Sequence, residues 1–495
     1  MGQKHVVAGL LVTVAVCAGC AINPVSKRPE AVLTTVEGEK RIGREETEKI
    51  REQMGFVEDV AAAEYVRSIG NRLAQHSPRQ DVAYHFHIVE MKEPNAFALP
   101  GGHVFVSRGL LAIANSEAEL ANVIGHEIGH VAARHSVQRA TRSAPFALVT
   151  GVGKFAVGLV SRRLGNLVGG IGGLAGSLVL SPYSRSQERE ADVLGQKMAA
   201  AAGWDPAEMT VFMETLQRDE VFHTGHVREA TFLDSHPTTP ERVKATAKNA
   251  AKLTTTPAAP IAADRAEFLA ELEGLRVGPN PAEGVFIDGH FLHPVMNFSL
   301  TFPPNWQTQN TPQAVAARPR TGGALAVLQL ATEADDMRAA VVEFEKEAGV
   351  RFETEPAATR INGLPAVRGI GKRRDAMMDV TWISYGDLIY RITGAAPPDK
   401  FPKMRDALEG IASSFGPLSS ADRSRVKDAR LRVVEAQADE KLDTLIDRSG
   451  SAWKAEMALL ANGMVASGDL APGDLLKLPI PEQYVPPVDP NAPAE

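Results

Sequence analysis

The run His126-Glu127-Ile128-Gly129-His130 constrains this chain more than any other stretch. It lies in a segment that opens with a capping box, Ser116-x-x-Glu119, and keeps helical apolar spacing without a proline to about Ala140. Residues four apart on a helix share one face, so both imidazoles can reach a single ion. Glu127 stands beside them, placed to act on a water as general base. Gly125 and Gly129 are expected to leave room beside the ion. A pair of solvent-facing histidines would carry the same letters. A catalytic zinc site needs three protein ligands and an open fourth position, so the metal reading requires one more ligand from a distant segment.

Cysteine does not supply it. The only two cysteines are Cys17 and Cys20, inside a stretch that reads as a signal segment, so the ligand set must come from His, Asp and Glu. A second helix is expected from Ser184 to Ala202, closed by Gly203, and it offers Glu188, Glu190 and Asp192. Glu188 and Asp192 share a face and Glu190 points elsewhere. On that face Glu188 is the candidate third ligand, with Asp192 positioned to fix a ligand histidine through a hydrogen bond. Spacing alone equally allows Glu188 to pair with a surface arginine such as Arg185.

At the front of the chain, Lys4 and His5 precede an apolar run from Val6 to Val16, then Cys17-Ala18-Gly19-Cys20. A basic start, a short apolar core and small residues mark a secretory signal over 1–20, too short for a permanent membrane span. Ala18-Gly19-Cys20 reads as a lipobox with Cys20 lipidated, although Cys17 replaces the usual aliphatic residue. Residues 21–35, with Pro24 and Pro29, are expected to be a tether. Helical spacing runs from Val36 to Gln75, Tyr84–Glu90 alternates as a strand, and His103–Ser107 reads as another. Further helices are expected after Asp205-Pro206 and over Glu241–Lys252, and a linker over 254–282 that opens with the Thr/Pro/Ala stretch Thr254–Ala263.

Four motifs then occur in one order: Asn95-Ala96-Phe97-Ala98-Leu99-Pro100-Gly101-Gly102, His126 to His130, Arg185-x-x-Glu188-x-x-Ala191-Asp192 and Ser235-His236-Pro237. Over residues 36–253 the chain resembles the HtpX/BepA-type zinc metallopeptidases, the minigluzincin group that also holds the CAAX prenyl proteases. The resemblance implies a mostly helical core with a small sheet, one Zn2+ per chain on His126, His130 and Glu188, and Glu127 as the base in peptide-bond hydrolysis. It also implies that His236 lies near the metal, where in the BepA type it can take the open ligand position. Either Asn95–Leu99 or His103–Ser107 is expected to offer a sheet edge to an extended substrate.

The whole is expected to be α+β and multidomain. Residues 283–416 alternate strands (Phe298–Phe302, Leu325–Leu330, Val380–Ser384, Leu388–Thr393) with helices (Met337–Ala348, Phe401–Ser414) and weakly resemble a PsbP/Mog1-like domain. Residues 430–480 look like a degenerate LysM unit with Asp439 where such units carry glycine, and 481–495 read as a disordered tail. Residues 144–180 are rich in glycine, and the uncharged run Leu164–Ser184 is expected to form a flap or loop over the cleft, to touch a membrane surface or to pack as plain core.

A net charge of -7 excludes a general nucleic-acid binder. The expected partners are unfolded envelope proteins as substrates, a membrane through the lipid anchor and peptidoglycan through the last unit, with the chain lipid-anchored in the periplasm, at the outer membrane. Two other classes compete: a chaperone or assembly factor with a mostly latent zinc site, and a cell-wall adaptor.

Overall fold

A computed structural model describes residues 19–32, 34–139, 141, 182–222, 231–331, 336–373, 375–465 and 470–486. The glycine-rich stretch 144–180 lies outside the described residues, as does all of the signal segment before Gly19. No helix among the described residues is long and apolar enough to cross a membrane.

The chain opens with a hairpin, β1 (Gly19–Ile22) against β2 (Pro29–Val32). This corrects the tether expected at 21–35. Asn23 Oδ1 accepts from the amides of Val25 and Ser26 at 2.8 and 2.9 Å, folding the turn back before Pro29 can extend the chain. Two helices follow, α1 (Val36–Met54) and α2 (Val60–Ala74), parted at Gly55, whose φ of 74° ends the first. A three-stranded sheet comes next: β3 (His85–Val89), β4 (Ala96–Leu99) and β5 (His103–Ser107) in the order β3-β5-β4. Because β5 lies in the middle, the substrate edge expected of His103–Ser107 is excluded and only β4 remains for it.

Helices α3 (Arg108–Ile113) and α4 (Glu117–Ala132) lead to the motif. Ser116 accepts from the Glu119 amide at 3.1 Å, but the return arm goes one residue further out, from the Asn115 amide to Glu119 Oε2 at 2.8 Å. The helix stops at Ala132 rather than Ala140. Arg134 adopts φ 59°, which aims its guanidinium back at buried Glu39.

After the undescribed stretch come α5 (Arg185–Ala202), α6 (Glu208–Phe222), the short α7 (Phe232–Ser235) and α8 (Pro240–Ala250). A full capping box at Ser184 and Gln187 starts α5, and Gly203, at φ 98°, ends it. The glycines of the motif serve the helix pair. A Cβ on Gly125 or Gly129 would stand 3.1 Å from the carbonyls of Gly195 and Ala191, and one on Gly195 would stand 2.7 Å from the His126 amide. They let α5 lie backbone-to-backbone on α4; they do not hollow out space beside an ion.

The stretch 254–282 is no free linker. It holds α9 (Arg265–Glu271) and β6 (Arg276–Val277), and Phe268, Leu269, Leu272 and Leu275 join the same core as α2, α4 and α6. Strand β6 pairs with Lys427–Glu435 of the last unit. Between them, an antiparallel sheet runs in the order Trp306–Thr311, Ala314–Pro319, Leu325–Leu330, Leu388–Ala396, Met377–Tyr385, Leu364–Lys372, Arg351–Phe352. Helices Met337–Ala348 and Phe401–Ser413 pack with separate clusters of its side chains, as the alternation of strands and helices predicts.

The last unit pairs Lys427–Glu435 with Leu475–Gln483 around the helices Leu442–Ser449 and Ala455–Ala461. Asp439 takes φ 57°, the left-handed conformation for which glycine is the easier residue. Leu431 and Leu460 enter the first core, and Lys477 is buried with its ammonium on the Ala114 carbonyl. Burial brings Lys477 down and Glu119 up, each to about 7, against the attraction between their charges. The strand reaches Gln483 and Tyr484 is buried, so residues 481–484 are ordered structure and not the tail expected from 481; residues 487–495 lie outside the described set.

Candidate metal centre

Four ligand atoms converge where α4, α5 and the His236 turn meet. Atoms of His126, His130, Glu188 and His236 all lie within 4.8 Å of one another. His126 Nε2 is 3.0 Å from His130 Nε2 and 3.3 Å from His236 Nδ1, which is 3.0 Å from Glu188 Oε1. Three imidazole nitrogens turned on one point alongside a carboxylate, all buried, leave more lone pairs than protons to share; an N3O donor set of this kind fits zinc.

The surrounding bonds fix which nitrogen faces inward. His126 Nδ1 is 3.0 Å from Asp192 Oδ1, and a carboxylate there favours the proton on Nδ1 and frees Nε2. On His130 the corresponding nitrogen meets His135 Nδ1 at 2.9 Å, and His135 Nε2 reaches Glu190 Oε2 at 3.3 Å. Glu190, off the ligand face as expected, thus ends a second relay. Tyr183 stacks on His130 at 3.9 Å between ring centroids, and Phe232 stacks on His236 at 4.3 Å.

Arg242 escaped the sequence reading. Its Nε and Nη2 fork onto Asp192 at 2.8 and 2.7 Å, its Nη1 stands 2.6 Å from Glu188 Oε2, and Nη1 also donates to the His236 carbonyl at 3.2 Å. The signal available was an arginine in the first turn of a helix starting just past His236-Pro237; nothing in its spacing names its partners.

Electrostatics follow from burial and neighbours. Burial would raise the Glu188 carboxyl, but the charge of His236, hydrogen bonds from His130 and His236 and the charge of Arg242 hold it well below the usual range. Asp192 is likewise lowered against burial, by Arg242 and His126. Burial pushes Glu127 up, with His236 and His126 opposing. Burial drives His130 well down, whereas for His126 the Asp192 bond and the Glu188 charge outweigh burial and raise it.

Glu127 is fully buried, with Oε1 3.5 Å from His236 Nε2. His236 therefore faces the ligand cluster with one nitrogen and the carboxylate with the other. Among the described residues neither carboxylate oxygen of Glu127 has a hydrogen-bond partner, a state that a substrate or its attacking water would relieve.

Residues 61–250 match the model of Peptidase family M48. That stretch is an M48 peptidase domain. The domain holds His126, Glu127, His130, Glu188, Asp192, His236 and Arg242, and the HExxH with a carboxylate from a second helix lies inside it. The beta-barrel assembly-enhancing protease of Escherichia coli is 30% identical over 218 residues, covering 43% of this chain and 44% of that one. The mitochondrial metalloendopeptidase OMA1 of Schizosaccharomyces pombe is 27% identical over 225 residues, 45% of this chain and 64% of that one. The chain spans under half the length of the bacterial relative. Among solved structures, cyanobacterial PsbP from Synechocystis overlays with a TM-score of 0.23 at 9% identity, covering 28% of this chain and 98% of that one.

Proposed function

We propose that the chain is a zinc metalloendopeptidase of the bacterial cell envelope that hydrolyses misfolded or misassembled envelope proteins, with His126, His130 and Glu188 as ligands. The observation that carries this reading is the convergence of those ligand atoms beside a buried Glu127. Zinc bound there supplies Lewis acidity toward the scissile carbonyl and toward water. Glu127 takes the proton of the attacking water and returns it to the leaving amine. Asp192, His135 and Arg242 hold His126, His130 and Glu188 in register. Strand β4 is the edge on which an extended polypeptide can pair, and the Ala98 carbonyl there already takes a hydrogen bond from Ser136 at 3.2 Å.

In this reading His236 is a latch. It fills both the open ligand position and the place a water needs beside Glu127, so His236→Ala should raise basal cleavage several-fold. Unchanged cleavage by that variant would remove the latch.

Envelope location, with Cys20 lipidated at the outer membrane, is supported by the lipobox and by the bacterial relative's name. The 283–416 domain, PsbP/Mog1-like in this proposal, presents clients. The LysM-like unit is packed into the first core, which favours a structural role over peptidoglycan capture. One observation favours a second reading: the burial of Glu127 and of every candidate ligand fits an assembly factor whose zinc site stays mostly latent.

The deciding experiment measures zinc content and casein cleavage for wild type, Glu127→Gln and Glu188→Ala. Wild type and Glu127→Gln should each hold one zinc, Glu188→Ala none, and only wild type should cleave. Stoichiometric zinc in Glu188→Ala overturns the ligand set; full function of Glu127→Gln in cells favours the assembly factor.

A further inference from the structure

We propose that the N-terminal hairpin is a strap of the metal centre, in which Asn23 and Glu30 are positioning residues acting through Gln138 and Gln187 on both ligand-bearing helices. The inference deepens the zinc-site reading and rests on it.

The last carbonyls of a helix have no partner within it and must be capped from outside. The carbonyl of Ala133, the residue that ends α4, accepts from Asn23 Nδ2 at 3.2 Å and from Gln138 Nε2 at 3.0 Å. Glu30 Oε2 accepts the other hydrogens of the same two amides, at 3.0 and 2.8 Å. These four groups close a ring of hydrogen bonds three residues beyond His130.

The ring continues into the second helix. Gln138 Oε1 accepts from Gln187 Nε2 at 3.1 Å, and Gln187, the residue before Glu188, accepts at Oε1 from the Ser184 amide at 3.1 Å, completing the box that starts α5. Arg134, 3.6 Å from Glu30 Oε1, also binds buried Glu39 of α1. The hairpin thus ties the C-terminal end of α4 to the N-terminal end of α5, the two ends that set the distance from His130 to Glu188. Three residues of extended chain reach about 10 Å. Under the anchoring proposed above, a lipid on Cys20 would hold this ring close to the membrane surface.

The test uses the full chain loaded with zinc, reading zinc loss to a chromogenic chelator, casein kcat and KM, and thermal unfolding. Asn23→Asp keeps the Oδ1 that folds the turn but sets an oxygen against the Ala133 carbonyl and Glu30. Glu30→Ala removes the shared acceptor, and Arg28→Ala on the exposed turn is the control.

Zinc retention should fall about 10-fold in both ring variants, the lower end of what outer-shell partners contribute, with kcat reduced, KM near wild type and Arg28→Ala unchanged. Lower unfolding temperatures with wild-type zinc retention and kcat would overturn the strap. If Asn23→Asp is insoluble, Glu30→Gln, which keeps one acceptor oxygen, should fall between wild type and Glu30→Ala; wild-type retention by both Glu30 variants also overturns it. A wild-type chain that holds zinc yet cleaves nothing fails the peptidase reading alone.

Discussion

Arg242→Leu is the most direct probe of how this site is held. The guanidinium forks onto Asp192 at 2.8 and 2.7 Å and reaches Glu188 at 2.6 Å, with side-chain exposures of 5% for the arginine and 3% for each carboxylate. Leucine keeps much of the volume but leaves two buried carboxylates without their fixed cation. Breaking a buried pair by removing one partner costs about 3–5 kcal/mol, because the orphaned charge has no water to turn to. For a domain of this size each kcal/mol lowers the melting temperature by about 2–4 °C, so a fall of roughly 6–20 °C is expected without metal. With zinc bound, a dication restores part of the lost positive charge, and the fall should be smaller. Arg242→Lys should lie between, since one ammonium cannot fork on Asp192 and still reach Glu188. Calorimetry of the three chains with chelator and with zinc measures these shifts. Equal melting of Arg242→Leu and wild type in chelator, or the same loss with and without zinc, would refute the charge argument.

Two further perturbations test the frame around the site. Gly195→Ala should push α5 off α4, because its Cβ would stand 2.7 Å from the His126 amide; overpacking of this kind costs about 1–3 kcal/mol, and zinc content should drop with it, so an alanine variant with wild-type melting and zinc refutes the close-packing account. Burial and the charges of His85, His87 and Arg44 hold His103 down to about 4, so between that value and about 6.5 the unfolded chain binds the proton that the fold refuses. Stability should therefore fall as pH drops through that window, by about 3 kcal/mol at most from this residue, and His103→Gln should flatten the slope; an unchanged acid-unfolding profile refutes it.

What could be read from the sequence followed from where partners lie along the chain. His126, Glu127 and His130 declare themselves because helical periodicity puts them together within five residues, and the starts of α4 and α5 show in Ser116 and Ser184 for the same local reason. Glu188 stood on a shared face with Asp192 but needed the family pattern to choose it over a surface role. Arg242 and Tyr183 were invisible, since each acts on a residue of another segment, and His135 meets His130 only because the left-handed Arg134 turns the chain between them. Proline at 24 and 29 suggested an extended tether, yet the Asn23 turn decides the conformation and its side chain finds Ala133, 110 residues away. The linker reading failed similarly: composition marks 254–263 as loose, while the apolar residues of α9, just beyond, bury themselves in the first core.

The segment that carries the proposed latch also carries the Arg242 clamp, and on that proposal this limits how the site can open. Between His236 and Arg242, Thr239 caps α8 and Pro240 opens it, so the start of that helix is fixed by local chemistry. Arg242 must remain on Asp192 and Glu188 if the ligands are to keep their geometry. Movement is therefore confined to the residues before Pro237, where α7 is a single turn held by the Phe232 amide on the Pro94 carbonyl and the Tyr183 amide on the Ser235 carbonyl. Pro94 leads directly into β4, the edge proposed for substrate. A polypeptide pairing along β4 would press on the contact that keeps α7 in place, and displacing α7 unstacks Phe232 from His236. On the proposed reading, occupation of the β4 edge would be felt at the metal centre through the Phe232–Pro94 backbone hydrogen bond, while the Arg242 fork on Asp192 stays where it is.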